Sequence, residues 1–482
     1  MLFNSVNFAL FLPVVFFLYW FVVRGNLKMQ NVLLLVSSYF FYACWDFRFL
    51  FLLIFSTLLD YFTGIQMYRA TNPAMKRFWF WLSISINLGF LGLFKYYNFF
   101  AESLSDALTL LGMKTNFGTI EVILPIGISF YTFHGLSYVI DIYKNRIKPE
   151  TNIVDYSVFV SFFPLLVAGP IERATHLLPQ IQRKRIFNYE NAVDGLRQML
   201  WGLFKKIVIA DNCAEYANTI FNNSEHQSGS TLVIGALFFT FQIYGDFSGY
   251  SDIALGTARL FGIDLLRNFA FPYFSRDIAE FWRRWHISLS SWFRDYLYIP
   301  LGGSKGSMWR TIRNTFIIFI VSGFWHGANW TFIIWGLLHA LYILPSIVFK
   351  TNRKNIDTVA AGKLFPSVKE FFAIGVTFLL TVLAWIFFRA NDLTHATHYI
   401  SGIFSDSLFN KPNFPINVKS GMLLLFIAIF FTVEWFGREE QYAIAKIGNN
   451  WFWPIRWAGY YGIALAILHF AGAEQQFIYF QF

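Results

Sequence analysis

Charged residues are scarce in this chain of 482 residues. Asp, Glu, Lys and Arg together make up 14% of it, whereas a soluble globular chain carries about 25% charged residues. Hydrophobic residues reach 56%, and they form many long uninterrupted runs. The shortage of charge excludes an ordinary soluble domain, and the long apolar runs predict an all-α polytopic membrane protein.

Cysteines and several catalytic motifs are also missing or rare. The only cysteines are Cys44 and Cys213, and two distant cysteines support neither a disulfide framework nor a thiolate metal site. The sequence contains no glycine-rich phosphate loop of the Walker type and no H-E-x-x-H zinc motif. We therefore predict no metal site and no tightly bound cofactor.

The charges that remain are mostly basic. Lys and Arg outnumber Asp and Glu by 38 − 28 = 10. In a membrane protein such an excess marks cytoplasmic loops and contacts with anionic lipids, so it indicates no nucleic-acid partner. The alternation of basic and other loops places residues 24–30, 66–77 and 143–152 inside, and 43–48 and 96–120 outside. The N-terminus is then predicted to be extracytoplasmic.

The stretch from Asn314 to Phe349 has 36 residues and no Asp, Glu, Lys or Arg. As one helix it would extend about 54 Å, although the hydrocarbon core of a bilayer is about 30 Å thick. We predict a break at its Gly- and Asn-containing centre, with His326 at membrane depth beside irregular backbone. An ionisable residue there is a candidate functional residue. Trp325 and Asn329 flank it, and we expect both to contact substrate.

A second candidate histidine lies between Asp277 and Leu297. Apolar and aromatic residues recur there at i, i+3 and i+4, which is typical of an amphipathic helix at a membrane interface. His286 lies on this predicted helix, either on a solvated face or as a second polar wall of the site. Arg283 and Arg284 beside it are candidates for binding phosphates, and anionic lipid headgroups are the competing explanation.

Polar residues also close a predicted span, Leu232–Tyr250. Asp246 and Tyr250 are spaced i, i+4, so both lie on one face of a helix. They can shape a channel for donor or acceptor, and we list them as substrate-binding candidates. In the structural alternative the two carboxylates of this segment, Asp246 and Asp252, only pair with Arg259 or Arg267.

Other apolar segments do not fit simple spans. Tyr156–Val167 is short and is followed by the basic residues 183–185, which predicts a re-entrant hairpin. Leu196–Asn218 carries Lys205 and Lys206 in its middle, so we expect it to be interfacial or to line a wet cavity. Val122–Ile142 is a further predicted span.

Several stretches form a specific combination. They are Met1–Ser5, Ser129–Phe133, Asp141–Lys144, Val167–Pro170, Trp282–Ser290, Arg294–Gly303, Phe324–Trp330 and Phe477–Phe482. Together they resemble the membrane-bound O-acyltransferase (MBOAT) family, and within it the membrane subunit of bacterial alginate-type polysaccharide O-acetyltransferases. His134 differs from the Gln expected in most relatives, which leaves the role of that position open.

The resemblance implies one membrane domain over residues 1–482, a ring of about 11–12 transmembrane helices with re-entrant and interfacial helices around a central tunnel. Its parts are N-terminal helices (1–152), a catalytic core (153–350) and C-terminal helices (351–482). It also implies acetyl-CoA as the cytoplasmic acyl donor and an exported polysaccharide or cell-wall glycan as acceptor. An extracytoplasmic acetyltransferase partner and the bacterial inner membrane belong to the same expectation.

The resemblance assigns the catalytic histidine to His326 and the second motif histidine to His286. We expect His326 to take a proton from an acceptor hydroxyl that attacks the thioester carbonyl. His286, or a backbone N–H near Gly327, would stabilise the oxyanion. Two alternatives stay open: a D-alanyl or other acyl transferase of the same superfamily, and a non-catalytic membrane transporter or scaffold.

Overall fold

The computed structural model describes residues 1–113, 117–120, 123–167, 169–415, 417–448, 451–472, 475 and 477–478. Across these ranges the regular structure is helical, without a β-strand. Among the described residues, six helices are long and apolar enough to cross a membrane: Phe47–Arg69, Pro73–Leu110, Gly229–Leu260, Trp330–Val348, Val368–Arg389 and Val418–Phe436. The prediction of an all-α polytopic membrane protein is confirmed. The higher helix count, the ring and the tunnel stay predictions.

Three sequence features reach beyond the described ranges. Val122, at the start of a predicted span, lies outside them, as do Ala168 of the Val167–Pro170 motif and residues 479–482 of the C-terminal motif. The helix that corresponds to the predicted span Val122–Ile142 begins at Ile128. It follows Gly127, whose φ of +78° is left-handed and so suits a glycine.

The chain divides into two compact units, and the first comprises Met1–Asn191 with Ala258–Leu266. Short π-helical segments, Leu18–Val22 and Gly92–Tyr96, follow its first and fourth helices. The helices are α1 (Val6–Phe17), α2 (Leu27–Ala43), α3 (Phe47–Arg69), α4 (Pro73–Leu91), α5 (Tyr97–Leu110), α6 (Ile128–Tyr143), α7 (Ile153–Ser161) and α8 (Ala174–Gln182).

The second unit comprises Ala192–Thr257 with Arg267–Phe482. It contains π-helical segments at Phe204–Ala210 and Arg294–Tyr298 and 3₁₀ turns at Ser224–His226, Pro272–Phe274 and Asp406–Phe409. Its helices are α9 (Tyr189–Leu203), α10 (Asp211–Asn222), α11 (Gly229–Leu260), α12 (Ile278–Arg284), α13 (Ile287–Phe293), α14 (Met308–His326), α15 (Trp330–Val348), α16 (Val368–Arg389), α17 (Leu393–Ile403), α18 (Val418–Phe436) and α19 (Trp453–Phe470).

Polar caps explain where many of these helices begin. The side chains of Asp46, Asn72, Ser307 and Ser367 each accept a hydrogen bond from a backbone N–H two or three residues later. Such a bond satisfies one of the N–H groups that the first turn of a helix leaves without a partner. At Ser367 the bond is reciprocal, because Glu370 accepts from the N–H of Ser367.

A buried carboxylate, that of Glu172, connects several parts of the first unit. Glu172 accepts the N–H of Leu266 at 2.6 Å and lies 2.7 Å from Nδ1 of His176. Its own N–H donates to Nε2 of His134 at 3.1 Å. Because Nε2 accepts, Nδ1 of His134 carries the proton and faces the carbonyl of Val160 at 3.4 Å. His134 therefore fixes the backbone at Glu172, and the expected difference from relatives at this position stays a prediction.

Glycines bring α9 and the following π-helical segment against α11 in the second unit. A Cβ atom added to Gly249 would lie 2.7 Å from the carbonyl oxygen of Gly202, and one added to Gly202 would lie 2.6 Å from that of Gly249. Further along, a Cβ on Gly256 would lie 2.3 Å from the carbonyl oxygen of Gly195. Helices with apolar surfaces pack this closely only where small residues line the contact. The contact places residues 205 and 206 directly beside α11.

Candidate active site

His326 is the last residue of α14, and Trp330 is the first of α15. The three residues between them are extended at Gly327 and Asn329, so the predicted break in the apolar stretch is confirmed. Asn329 begins α15, because its side chain accepts the N–H of Thr331 at 3.0 Å and donates to the carbonyl of Asn391 at 2.8 Å. Asn329 thus fixes the backbone of the break, and a contact of this residue with substrate stays a prediction.

Glycines also explain how α14 returns into α15 so tightly. A Cβ added to Gly323 would lie 2.2 Å from the carbonyl oxygen of Phe332, and one added to Gly336 would lie 2.2 Å from that of Phe319. At the break itself, a Cβ on Gly327 would lie 2.1 Å from the ring of Phe332. A side chain at Gly323 or Gly336 would force the facing helix to move, and one at Gly327 would displace the ring of Phe332. The glycines therefore determine where His326 lies relative to α15.

Aromatic rings enclose His326, which is only 3% exposed. The centroid of its imidazole lies 4.8 Å from that of Trp325, 5.0 Å from that of Trp335 and 5.2 Å from that of Phe388. These rings come from α14, α15 and α16. The side chain of His326 is therefore packed among aromatic rings from three helices.

His286 lies at a break that the sequence pattern did not indicate. The predicted single helix over Asp277–Leu297 is wrong: α12 ends at Arg284 and α13 begins at Ile287. Between them His286 has a left-handed φ of +44°. The N–H of Ile287 donates to the carbonyl of Asn268 at 2.9 Å, which stabilises this turn. His286 is therefore held by backbone geometry and does not lie on a continuous amphipathic face.

The turn directs the imidazole of His286 inward. Its exposure is 0%, so the solvated face considered from the sequence is excluded. Its ring lies 4.7 Å from that of Phe247 and 5.9 Å from that of Trp325. Burial lowers the pKa of His286 to about 3, so the side chain is neutral at pH 7. Trp325 contacts both motif histidines, and the structure thereby brings His286 and His326 together around one indole.

Arg283 and Arg284 do not point toward this pair. Arg283 donates to the carbonyls of Asn352 and Asn355 at 2.8 and 2.7 Å. Arg284 forms an ion pair with buried Glu280 at 2.9 Å and donates to the carbonyl of Asp357 at 3.0 Å. Both arginines thus bind α12 to the segment from Asn352 to Asp357. Their assignment to donor phosphates stays a prediction. To bind phosphates, both arginines would have to give up the hydrogen bonds and the ion pair described here.

Asp246 lies inside a long helix. The predicted end of the span at Tyr250 is wrong, because α11 continues without interruption to Leu260. The structural alternative is wrong for Asp246, which pairs with neither Arg259 nor Arg267, whereas Arg267 does interact electrostatically with Asp252. Asp246 forms its ion pair with Lys206, with Nζ and Oδ1 2.7 Å apart, and its Oδ2 accepts the N–H of Ile478 at 2.7 Å.

Lys206 and Lys205 both turn toward α11 because their segment is π-helical. Lys206 also lies 2.7 Å from Asp211, five residues later, which is the spacing that a π-helix brings together. Lys205 lies 2.6 Å from Asp252. Burial opposes the charge of Lys206, but Asp246 and Asp211 together raise its pKa above the usual value. These lysines are buried ion-pair partners, so the interfacial expectation is wrong for them, and a wet cavity beside the segment stays a prediction.

Tyr250 is buried on the same helix, with its ring 4.8 Å from that of Phe477. Phe477 also lies 6.1 Å from Phe247, and Phe247 contacts His286. Tyr250 is therefore linked to His286 through packed rings, while direct contact of Asp246 and Tyr250 with substrate stays a prediction.

Sequence reasoning missed several residues that shape the site. The clearest are Trp335 and Phe388, which pack on His326, and Trp385, which stacks 5.8 Å from Trp335. They sit in strongly apolar helices, where an aromatic residue gives no signal of its own. A usable signal existed for Lys205 and Lys206, since two adjacent lysines in an apolar segment require buried partners.

Comparison with known proteins adds a separate line of evidence. The family model for MBOAT, the membrane-bound O-acyltransferase family, matches residues 144–388. The chain is similar to a probable alginate O-acetylase of Pseudomonas aeruginosa, with 39% identity over 91% of this chain and 82% of the relative. It is similar to a peptidoglycan O-acetyltransferase of Helicobacter pylori, with 37% identity over 84% and 80%. A teichoic acid D-alanyltransferase of Streptococcus thermophilus is 30% identical over 57% and 71%.

Proposed function

The chain belongs to the membrane-bound O-acyltransferase family, and from this premise we propose that it transfers an acetyl group from acetyl-CoA to a hydroxyl group of an exported polysaccharide or cell-wall glycan. That it is a membrane acyltransferase follows from the family and from its O-acetyltransferase relatives. The transporter and scaffold alternatives are set aside accordingly. The donor, the acceptor and the residue roles below are our proposal.

The observation that supports the proposal is the enclosure of His326 at the break between α14 and α15. A neutral imidazole can accept a proton from a hydroxyl group, and burial favours the neutral form. In the proposed step His326 removes that proton while the hydroxyl oxygen bonds to the thioester carbonyl carbon. The carbon–sulfur bond then breaks, and coenzyme A leaves as a thiol after taking up the proton.

His286 is the proposed second participant. It contacts Trp325 together with His326, and its neutral ring can donate one hydrogen bond. We propose that it stabilises the negative oxygen that develops on the attacked carbonyl, or orients the donor. The attacking hydroxyl belongs either to the glycan or to an extracytoplasmic acetyltransferase partner that passes the acetyl group on.

The test uses purified protein in nanodiscs with radiolabelled acetyl-CoA and a glycan acceptor. His326→Ala should reduce both label transfer and release of free coenzyme A by at least about 100-fold, as expected for loss of a general base. His286→Asn should retain the fold, because Asn tolerates the left-handed conformation, and should lower transfer.

His339→Asn is the matched control. His339 is also buried, in α15, and its Nδ1 accepts the indole N–H of Trp282 at 3.2 Å, a bond that an Asn oxygen can accept. It should keep transfer within a few-fold of the unmodified protein. Retained transfer by His326→Ala would overturn the proposed role of His326. Equal losses in the His326 and His339 variants would attribute the effect to packing.

Transfer of D-alanine is the second candidate, because teichoic acid D-alanyltransferases also match much of the chain. The O-acetyltransferase relatives cover a larger part of it, and they favour acetyl. The same assay with a D-alanyl thioester as donor discriminates between the two. Activity with D-alanyl and none with acetyl would replace the proposed donor.

A further inference from the structure

A basic cavity lies in the first unit, at some distance in the chain from the catalytic motifs. It consists of two adjoining hollows of about 430 and 340 Å³. Their shared wall is formed by Trp20 and by a short segment that follows α8: Lys184, Arg185, Ile186 and Phe187. We use the name basic cavity for both hollows together.

Positive charge dominates the lining of this cavity. Five cationic side chains line it, and Asp264 is the one acidic residue recorded among the lining residues. Asp264 lies 3.9 Å from Arg259 and is itself well exposed, so it offsets little of the charge. The cationic residues are Arg24, Arg183, Lys184, Arg185 and Arg259.

Arg185 forms the rigid inner wall. It is 5% exposed, donates to the side chain of Asn31 and lies 5.6 Å over the ring of Tyr19. Arg183 and Lys184 beside it are exposed. Like charges this close repel one another, and a bound anion would relieve that repulsion. Arg185 is thus held in place by its contacts, whereas the exposed side chains of Arg183 and Lys184 can adjust to a ligand at the same opening.

Apolar rings continue directly from the cations. The indole N–H of Trp20 donates to the carbonyl of Leu260 at 2.8 Å, which leaves the ring to pack 5.4 Å from that of Phe187. Phe16 lies 6.0 Å from Phe187 on the other side. At the rim, Phe21 and Ile186 are 65% and 80% exposed. Exposed apolar side chains next to cations are typical of a surface that lies at the boundary between lipid tails and headgroups.

Sidedness agrees with such a location. Residues 24–30 and 183–185 come from distant parts of the sequence, and the charge pattern predicts both on the cytoplasmic side. The structure brings them to the same cavity, as that prediction requires. The π-helical segment Leu18–Val22, which carries Trp20, connects the cavity directly to α1, the first apolar helix.

We propose that the basic cavity binds the headgroup of an anionic phospholipid of the cytoplasmic leaflet. The phosphate would lie among Arg183, Lys184 and Arg24, and the first part of an acyl chain would lie along Phe16 and Phe21. Basic pockets on the cytoplasmic side of membrane proteins bind acidic headgroups in this way. The site is separate from acyl transfer, and it stands whether or not the proposed donor is correct.

The test measures lipid retention by native mass spectrometry of protein extracted from vesicles that contain equal amounts of phosphatidylglycerol and phosphatidylcholine. Unmodified protein should retain phosphatidylglycerol preferentially. The double variant Arg183→Gln/Lys184→Gln should bind it roughly 30-fold more weakly. Each Lys or Arg near an anionic membrane surface strengthens binding by about five-fold, and the variant removes two of them. Added phosphatidylglycerol should also raise the Tm of the unmodified protein more than that of the variant.

The matched control is Arg69→Gln/Arg77→Gln. It removes the same charge from exposed positions in residues 66–77, which are predicted to face the same side. The control should retain phosphatidylglycerol within about two-fold of the unmodified protein. Equal binding by the cavity variant and the control would overturn the proposal. Displacement of the retained lipid by soluble coenzyme A at micromolar concentration would also overturn it, in favour of a soluble phosphate ligand.

Discussion

The ion pair between Lys206 and Asp246 gives the sharpest test of how the second unit is held together. Nζ of Lys206 lies 2.7 Å from a carboxylate oxygen of Asp246 and 2.7 Å from one of Asp211. At an effective dielectric constant of about 20, each contact corresponds to roughly 6 kcal/mol of Coulomb attraction. Most of this is offset by the cost of removing the ions from water. The pair therefore matters most when one partner is removed.

Lys206→Met should lower the free energy of unfolding by about 3–5 kcal/mol, because it removes the ammonium group from the buried carboxylate of Asp246 and from the partly buried one of Asp211. Asp246→Asn should cost about 2 kcal/mol. The amide oxygen can still accept the N–H of Ile478, and Lys206 retains Asp211. The double variant Lys206→Met/Asp246→Asn should be more stable than Lys206→Met alone, since the second change removes one of the uncompensated charges.

The assay is reversible unfolding in mixed micelles with a rising fraction of denaturing detergent. Lys419→Met is the control, because Lys419 pairs with Glu215 at a half-exposed position and should contribute less than about 1 kcal/mol. The reasoning is refuted if Lys206→Met is no more destabilising than Lys419→Met. It is equally refuted if the double variant is less stable than Lys206→Met.

Two further predictions concern other parts of the chain. Gly336→Ala should lower the free energy of unfolding by about 1–3 kcal/mol in the same assay, since its Cβ would meet a carbonyl oxygen. The control Gly375→Ala, whose Cβ would have nothing within 4 Å, should be neutral or stabilising by up to about 1 kcal/mol. Similar losses of stability in the two variants would contradict the packing argument. The hydrogen bond to Glu172 raises the pKa of His176 above its ordinary value, against the effect of burial. His176 therefore stabilises the fold fully below about pH 6.5, and this contribution is lost as pH rises through the raised pKa. The Tm difference between unmodified protein and His176→Gln should therefore shrink from pH 5.5 to 8.5, and a difference that is constant with pH would exclude this linkage.

The sequence predicted the histidine break well, because its signal was local and physical. A charge-free stretch longer than a bilayer must break somewhere, and glycine and asparagine mark the place. The break at His286 could not be found in the same way. The i, i+3, i+4 pattern runs straight through it, and the turn depends on a hydrogen bond to Asn268, a contact that periodicity does not encode.

The buried charges show a second limit of sequence reasoning. Two adjacent lysines in an apolar segment require buried partners. For Asp246, however, the sequence suggested only Arg259 or Arg267 as alternative ion-pair partners. The true pairing with Lys206 depends on the π-helical turn after α9 and on the glycine contact with α11. Both are properties of helix geometry that emerge only when two helices meet.

The hydrogen bonds that Arg283 makes to the segment from Asn352 to Asp357 have a consequence for the interpretation of variants. Arg283 and Asn352 are 69 positions apart in the chain, yet their hydrogen bond holds the segment from Asn352 against α12, which ends next to the turn at His286. A substitution in that segment should therefore produce the phenotype of a substitution in α12, and revertants of the one should be found in the other. In a genetic screen, loss-of-function substitutions in either region should therefore produce the same loss of activity.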